Sequence, residues 1–292
     1  MSPIFEGVLV LLPEVSRYDE GISAVVWRVR LLGCWQLKRD GETVQVGLRQ
    51  QRLIAALALL GERPRQFLSG LLWPDSSEAQ ASGNLRAALF KISHQLPGLL
   101  DDRTEPVGLS GSVTVDLHEF RSHLAGAGAA GPADVPADFT DVLRSAELLP
   151  GWYDDWVLFE QERLREQRVL VLESLSRRHL LDEDTERALD AARSAAAIEP
   201  LRESAQRLLI EVQLRAGNAA GARRTFIDFE ARLWEELGVE PSDGLRSLLG
   251  PVAMATVRKI TTADPAEPGR SRAARPDPRP RPRLSPIAMR PA

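Results

Sequence analysis

Apolar side chains change their spacing several times between residues 25 and 250, and each change marks an element. From Val25 to residue 47 they alternate in part. VVWRVRLLG, then Trp35 and Leu37, then TVQV beyond the Asp-Gly of RDGE (39–42) predict short strands joined by a tight turn. RQQRLIAALALL (49–60) predicts a helix with Leu53, Ala56, Leu57 and Leu60 on one face, ended by Gly61 and Pro64. A short helix over 66–73 stops at Trp73, because Pro74 disfavours helical backbone in the residue before it. Asp75 then reads as the cap of a third helix, with Glu78 as its capping-box partner.

That third helix contains ASGNLRAALFKISHQL (81–96). Leu85, Ala88, Leu89, Ile92 and Leu96 follow the spacing of one buried face. The opposite face carries Gly83, Ala87, Phe90 and His94, flanked by Arg86 and Lys91. Beyond Pro97-Gly98, LLDDR and PVGLSGSVTVDL (106–117) predict turn-separated strands of a hairpin. Strands, three helices and a hairpin form the order of a winged helix-turn-helix, in which the third helix enters the major groove. An unrelated small α+β domain would show the same pattern.

LAGAGAAGPADVP (124–136) reads as a linker, and almost everything after it to residue 250 is helical. WVLFEQERLREQRVLVLESLSRRHLL (156–181) predicts one long amphipathic helix, and three shorter helices follow. Ala188 and Ala222 stand 34 residues apart, the period of tetratricopeptide helix pairs. Pro200 and Pro241 close the two units, and Gly217-Asn218 makes a turn within the second. Stacked pairs of this kind leave a groove for a partner. Trp152, Tyr153 and Trp156 are expected in the core of this half.

The expected class is therefore mainly α, with an N-terminal winged helix-turn-helix (α+β) followed by an all-α, tetratricopeptide-like helical domain. The expected organisation is an N-terminal extension (1–24), a winged-helix domain (25–124), a linker (125–136), the helical domain (137–250) and an Arg/Pro-rich, disordered tail (251–292). Charge follows these divisions. The winged-helix segment has twelve bases against ten acids, the stretch 125–250 fifteen against twenty-four, and the tail nine against three. An acidic block between two basic ones argues for modules with different partners.

A single cysteine, Cys34, cannot form an internal disulfide, and no apolar run approaches a membrane span, so a cytoplasmic location is expected. His118 and His123 lack companions at metal-ligand spacing, and Cys34 has no nearby histidine. No nucleophile elbow, catalytic carboxylate pair or GxxxxGK[ST] loop occurs, so neither catalysis nor a cofactor is expected.

Several runs resemble the SARP family of bacterial antibiotic regulatory activators. They are VRLLGCWQLKRDG, LRQQRLIAALAL, LLWPDSSEAQASGNLRAALFKI and VTVDLHEF in the first half, then LLPGWYDDWVLFEQERLR, EPLRESAQRLLIEVQLRAGN and LWEELGVEPSDGL in the second. PLRES with EELGVEPS is the most distinctive combination. The resemblance implies an OmpR-like winged helix joined to a bacterial transcriptional activator domain. It further implies a homodimer that binds repeats in double-stranded promoter DNA. The expected second partner is RNA polymerase, through its sigma and alpha subunits, and the expected target is a secondary-metabolite gene cluster.

The expected DNA-facing residues are Gly83, Asn84, Arg86, Phe90, Lys91 and His94 of the third helix. Arg86 and Lys91 could reach phosphates or guanine edges, and Phe90 a thymine methyl. Gly83 lets backbone come close, while Arg49, Arg52 and Arg65 near the starts of the first two helices suit phosphate contacts. Family members tend to carry arginine at the positions of Ser82 and Ser93, and often where His94 stands. That departure opens an alternative: an interaction module with a degenerate winged helix and a partner-binding helical half.

Overall fold

A computed structural model of the chain describes residues 25–101, 105–129 and 139–250, with side chains of 127–129 left aside. The expected N-terminal extension, the tail and most of the expected linker lie outside the described residues. Strands β1 (Trp27–Arg30), β2 (Gln36–Arg39) and β3 (Glu42–Thr43) form an antiparallel meander. The Asp-Gly signal holds: Asp40 and Gly41 both take positive φ, 50° and 90°, the geometry of a turn whose twist matches its strands. Trp27 and Val29 of β1 are buried and Arg28 faces out, as alternation requires.

Three helices cover the inner face: α1 (Leu48–Leu60), α2 (Arg65–Leu72) and α3 (Glu78–Gln95). On α3 the expected face of Leu85, Ala88, Leu89 and Ile92, with Leu96 just beyond, is buried. Its cap is Ser77 rather than Asp75. A turn closed by the Ser76 amide on the Trp73 carbonyl (3.2 Å) uses up Asp75 before the helix begins. Ser77 Oγ accepts the Gln80 amide while the Gln80 carboxamide accepts the Ser77 amide, both at 3.4 Å, completing a capping box with glutamine.

The expected hairpin is shorter than its sequence suggested. Leu99–Asp101 pairs with Gly108–Ser110 through two amide bonds of 3.0 Å, and Val107 exchanges bonds with Arg63. The following β4 (Thr114–Val115) leaves this wing and joins the sheet parallel to β1, giving the order β3-β2-β1-β4. The buried Val115 explains the departure, since pairing with Val29 puts it in the same core as Trp27.

Helix α4 (Asp116–Ala129) runs through the first residues of the expected linker, 125–129. It is tied to the sheet because the Asp116 carboxylate accepts the amides of Leu31, Leu32 and Leu117 at 2.8–3.0 Å. Burial raises the pKa of Asp116 above the ordinary carboxylate value despite those three bonds.

The helical half joins the winged helix directly. After α5 (Phe139–Ser145), residues 147–149 run antiparallel to the end of β1: the Gly33 amide reaches the Glu147 carbonyl at 2.7 Å and the Leu149 amide reaches the Leu31 carbonyl at 2.8 Å. Buried Leu148 and Leu149 continue one apolar core from sheet to helices. The chain then enters α6 (Asp155–Leu181), α7 (Thr185–Ile198), α8 (Glu203–Arg215), α9 (Ala219–Leu237) and the short α10 (Asp243–Ser247). Trp152 turns inward, its ring 6.0 Å from that of Trp35, and Trp156 is half-buried. Tyr153 does not join them and is 81% exposed. It lies outside any helix or strand, between the half-buried Trp152 and Asp154.

The 34-residue period reappears in backbone detail. Ala188 and Ala222 are both fully buried. Asp184 and Asn218 cap α7 and α9 in the same way, accepting the amide three residues on, and each sends its own amide to a carbonyl five residues back. The residues before the caps, Glu183 and Gly217, both take positive φ, 60° and 75°.

Candidate nucleic-acid interface

From Ala79 to Leu96 the sequence contains no carboxylate, so the basic residues of α3 have no acid on their own helix beyond its first turn. Arg86, Ala87, Phe90, Lys91 and His94 are exposed together, while Gly83 and Asn84 are half-buried beside them. Arg86 and Lys91 make no ion pair with a described residue. Phe90 is 62% exposed, and the His94 ring lies on it with centroids 3.9 Å apart. His94 Nδ1 donates to the Phe90 carbonyl at 2.9 Å, which leaves Nε2 facing solvent. The pair forms one aromatic plate on an otherwise basic face. Nothing lies within 4 Å of where a Gly83 Cβ would stand, so the surface above that residue is open.

The remaining candidates separate. Arg49 is exposed in the first turn of α1 and lines a cleft of about 340 Å³ together with Asn84 and Lys91 of α3. Arg52, one turn further along α1, is engaged elsewhere: its guanidinium meets Asp154, the cap position of α6, at 2.5 Å. Arg65 begins α2 and is bound to Glu105, whose carboxylate accepts the Arg65 amide at 3.0 Å and faces its guanidinium at 3.4 Å. Thus Arg49 joins Lys91 of α3 at one cleft, whereas Arg52 and Arg65 are charge-compensated.

One basic feature escaped the sequence reading. On the outward face of the sheet Arg28 lies directly across from Lys38, with Thr114 and Thr43 on the flanking strands. Neither cation pairs with a described carboxylate. The signal was present in the alternation of WRVR, but only the strand register shows that the two cations meet. Among the described residues no group of three or more His, Cys, Asp or Glu could hold a metal ion. No helix among them is long and apolar enough to cross a membrane.

Residues 115–252 match the family model of the bacterial transcriptional activator domain. The match starts at β4, ahead of the expected boundary at residue 137. The regulatory protein AfsR of Streptomyces coelicolor is 29% identical over 256 residues, covering 82% of this chain and 24% of AfsR. The AfsR of Streptomyces griseus is 27% identical over 281 residues, 90% of this chain and 28% of that protein. The chain thus spans about a quarter of the length of the curated relatives it matches. In fold it is similar to Mycobacterium tuberculosis EmbR, solved in complex with a low-affinity phosphopeptide, with a TM-score of 0.61. That match covers 81% of this chain and 71% of EmbR at 20% identity. Residues 115–252 thus carry the match to the bacterial transcriptional activator domain, and over most of its length the chain is similar to regulatory proteins of the AfsR kind.

Proposed function

We propose that the chain is a DNA-binding transcriptional activator. Helix α3 enters the major groove of promoter DNA, Arg86 reads a guanine edge, and the Phe90–His94 plate packs against a thymine methyl. Lys91 and Arg49 neutralise backbone phosphates. One observation carries this reading: an exposed, acid-free face on a capped helix that its opposite face fixes in the core. Two copies on neighbouring repeats raise the affinity that a single α3 provides, and the helical domain recruits RNA polymerase at a secondary-metabolite promoter. The cell compartment in which this occurs is the cytoplasm. The test is anisotropy titration of the full chain against DNA upstream of its neighbouring genes and against scrambled duplex, at several salt concentrations. A tighter complex with the upstream DNA supports the proposal, and equal weak binding to both contradicts it.

A second reading has its own observation. Trp234, Leu237 and Val239 at the end of α9 are all exposed, and Ser82 and Ser93 stand uncharged on α3 where the resemblance leads one to expect arginine. A protein partner on the helical half would use that apolar end and leave α3 idle. Equal binding to both duplexes in the same titration would favour it.

A further inference from the structure

The cleft between α1 and α3 has a composition that its walls do not require for packing. It is lined by Gly47, Leu48, Arg49 and Gln50 from α1 and its entry, and by Asn84, Ala87, Ala88 and Lys91 from α3. Two cations from two different helices face one space, and no carboxylate lines it. Neither Arg49 nor Lys91 pairs with a described acid, and the Asn84 amide makes no hydrogen bond with a described residue. All three therefore hold unused donors toward the same opening.

The floor of the cleft is tied to both helices. Gln50 is buried, and its Nε2 donates to Gln95 Oε1 at 3.1 Å, bolting the start of α1 to the end of α3. A Cβ on Gly47 would come within 2.6 Å of Gln50 Oε1, so a larger residue there would displace the Gln50 carboxamide. Ala87 and Ala88 keep the α3 wall low. Gly47 offers no side-chain acceptor to the first turn of α1, whose dipole adds a partial positive charge at the same place.

We propose that this cleft seats one phosphodiester of the DNA backbone, held by Arg49, Lys91 and Asn84, and that it sets the register of α3 in the groove. The proposal rests on the DNA-binding reading and adds its fixed point. Arg86 and the aromatic plate supply sequence discrimination, whereas the cleft supplies affinity that is alike on every duplex.

The experiment compares the full-length chain with Arg49→Ala, Asn84→Ala and the double variant Arg49→Ala/Lys91→Ala, with circular dichroism confirming the fold. Anisotropy against upstream and scrambled duplexes is measured over a range of salt. The double variant is expected to make the negative slope of log affinity on log salt shallower by about 2, while the ratio between the two duplexes stays as in the wild type. Arg49→Lys, which keeps the charge, is expected to restore the slope in the single-variant background. A scan of neutral methylphosphonates along the duplex is expected to find one position that weakens wild type and leaves the double variant unaffected. An unchanged slope and methylphosphonate profile in the double variant, on DNA that the wild type still binds, would overturn the cleft and leave the DNA-binding reading standing. Failure of the wild type to bind any duplex would overturn both.

Discussion

The Arg52 guanidinium in the winged helix meets the Asp154 carboxylate at the start of α6 at a distance of 2.5 Å, across the junction of the two halves. Both side chains are about a quarter to a third exposed, and Arg52 Nε is buried without a hydrogen-bond partner. The guanidinium is therefore mostly withdrawn from water and meets a single carboxylate there. Together with the Arg121–Glu160 pair and the backbone pairing of 31–33 with 147–149, it holds the two halves in one core.

Removing only the acid should be costly. Asp154→Ala is expected to destabilise by about 1–3 kcal/mol, because it strands a partly buried cation. Adding Arg52→Met to that background should recover part of the loss, since an apolar replacement of both partners removes the stranded charge. Urea unfolding of the two single variants and the double variant checks this. A double variant less stable than Asp154→Ala would contradict it.

Gly83 separates stability from binding. It lies inside α3 with open space above it, so Gly83→Ala should stabilise the fold by about 0.5–1 kcal/mol. If DNA backbone approaches that point, the added methyl should weaken DNA binding in the same protein. Thermal unfolding and anisotropy on one preparation test both halves of the expectation; a stabilised protein with unchanged affinity would remove Gly83 from the interface.

The docking of α10 should depend on pH. Glu203 in α8 accepts the Ser242 amide at 2.9 Å, the Ser242 hydroxyl, and the Arg207 guanidinium at 2.7 Å. Partial burial pushes its pKa up, but those bonds outweigh it and hold the carboxyl below its ordinary value of 4.5. The ionised form is thus favoured by folding, so its contribution is complete above about pH 4.5 and is lost as pH falls through the lower folded value. Glu203→Gln should cost of order 1 kcal/mol at neutral pH, with the gap to wild type closing in acid. A gap that stays constant down to pH 3 would contradict the assignment.

Arg28 and Lys38, opposed on neighbouring strands, should repel. Lys38→Glu turns the pair attractive and is expected to stabilise by roughly 0.2–1 kcal/mol at low salt, with the gain fading as salt is added. Unfolding midpoints at two ionic strengths provide the measurement.

What could be read from sequence was whatever repeats or alternates locally. The apolar face of α3, the Asp-Gly turn and the Ala188–Ala222 spacing each reflect one element's own periodicity, and each was found in place. The 34-residue spacing even carried the caps Asp184 and Asn218, although Glu183 at positive φ hid half of the turn because glycine is the usual signal there. Pairings distant in sequence were not legible. Nothing local marks Leu148 as the partner of Leu32, and a Gly/Ala-rich run read as a linker although α4 extends through its first residues. The site divided along the same line. Arg86 and Phe90 were placed by helical phase, but the carboxylates that occupy Arg52 and Arg65 lie 102 and 40 residues away.

The central claim is that α3 reads sequence, and Arg86 tests it most directly. Wild type and Arg86→Ala should be titrated by anisotropy against the upstream duplex and its scrambled counterpart at one salt concentration. The ratio of the two affinities is expected to fall by roughly 5- to 150-fold in the variant, the equivalent of losing one base contact of about 1–3 kcal/mol. A ratio that is the same in both proteins, with the native fold intact, would mean that this face of α3 does not read bases.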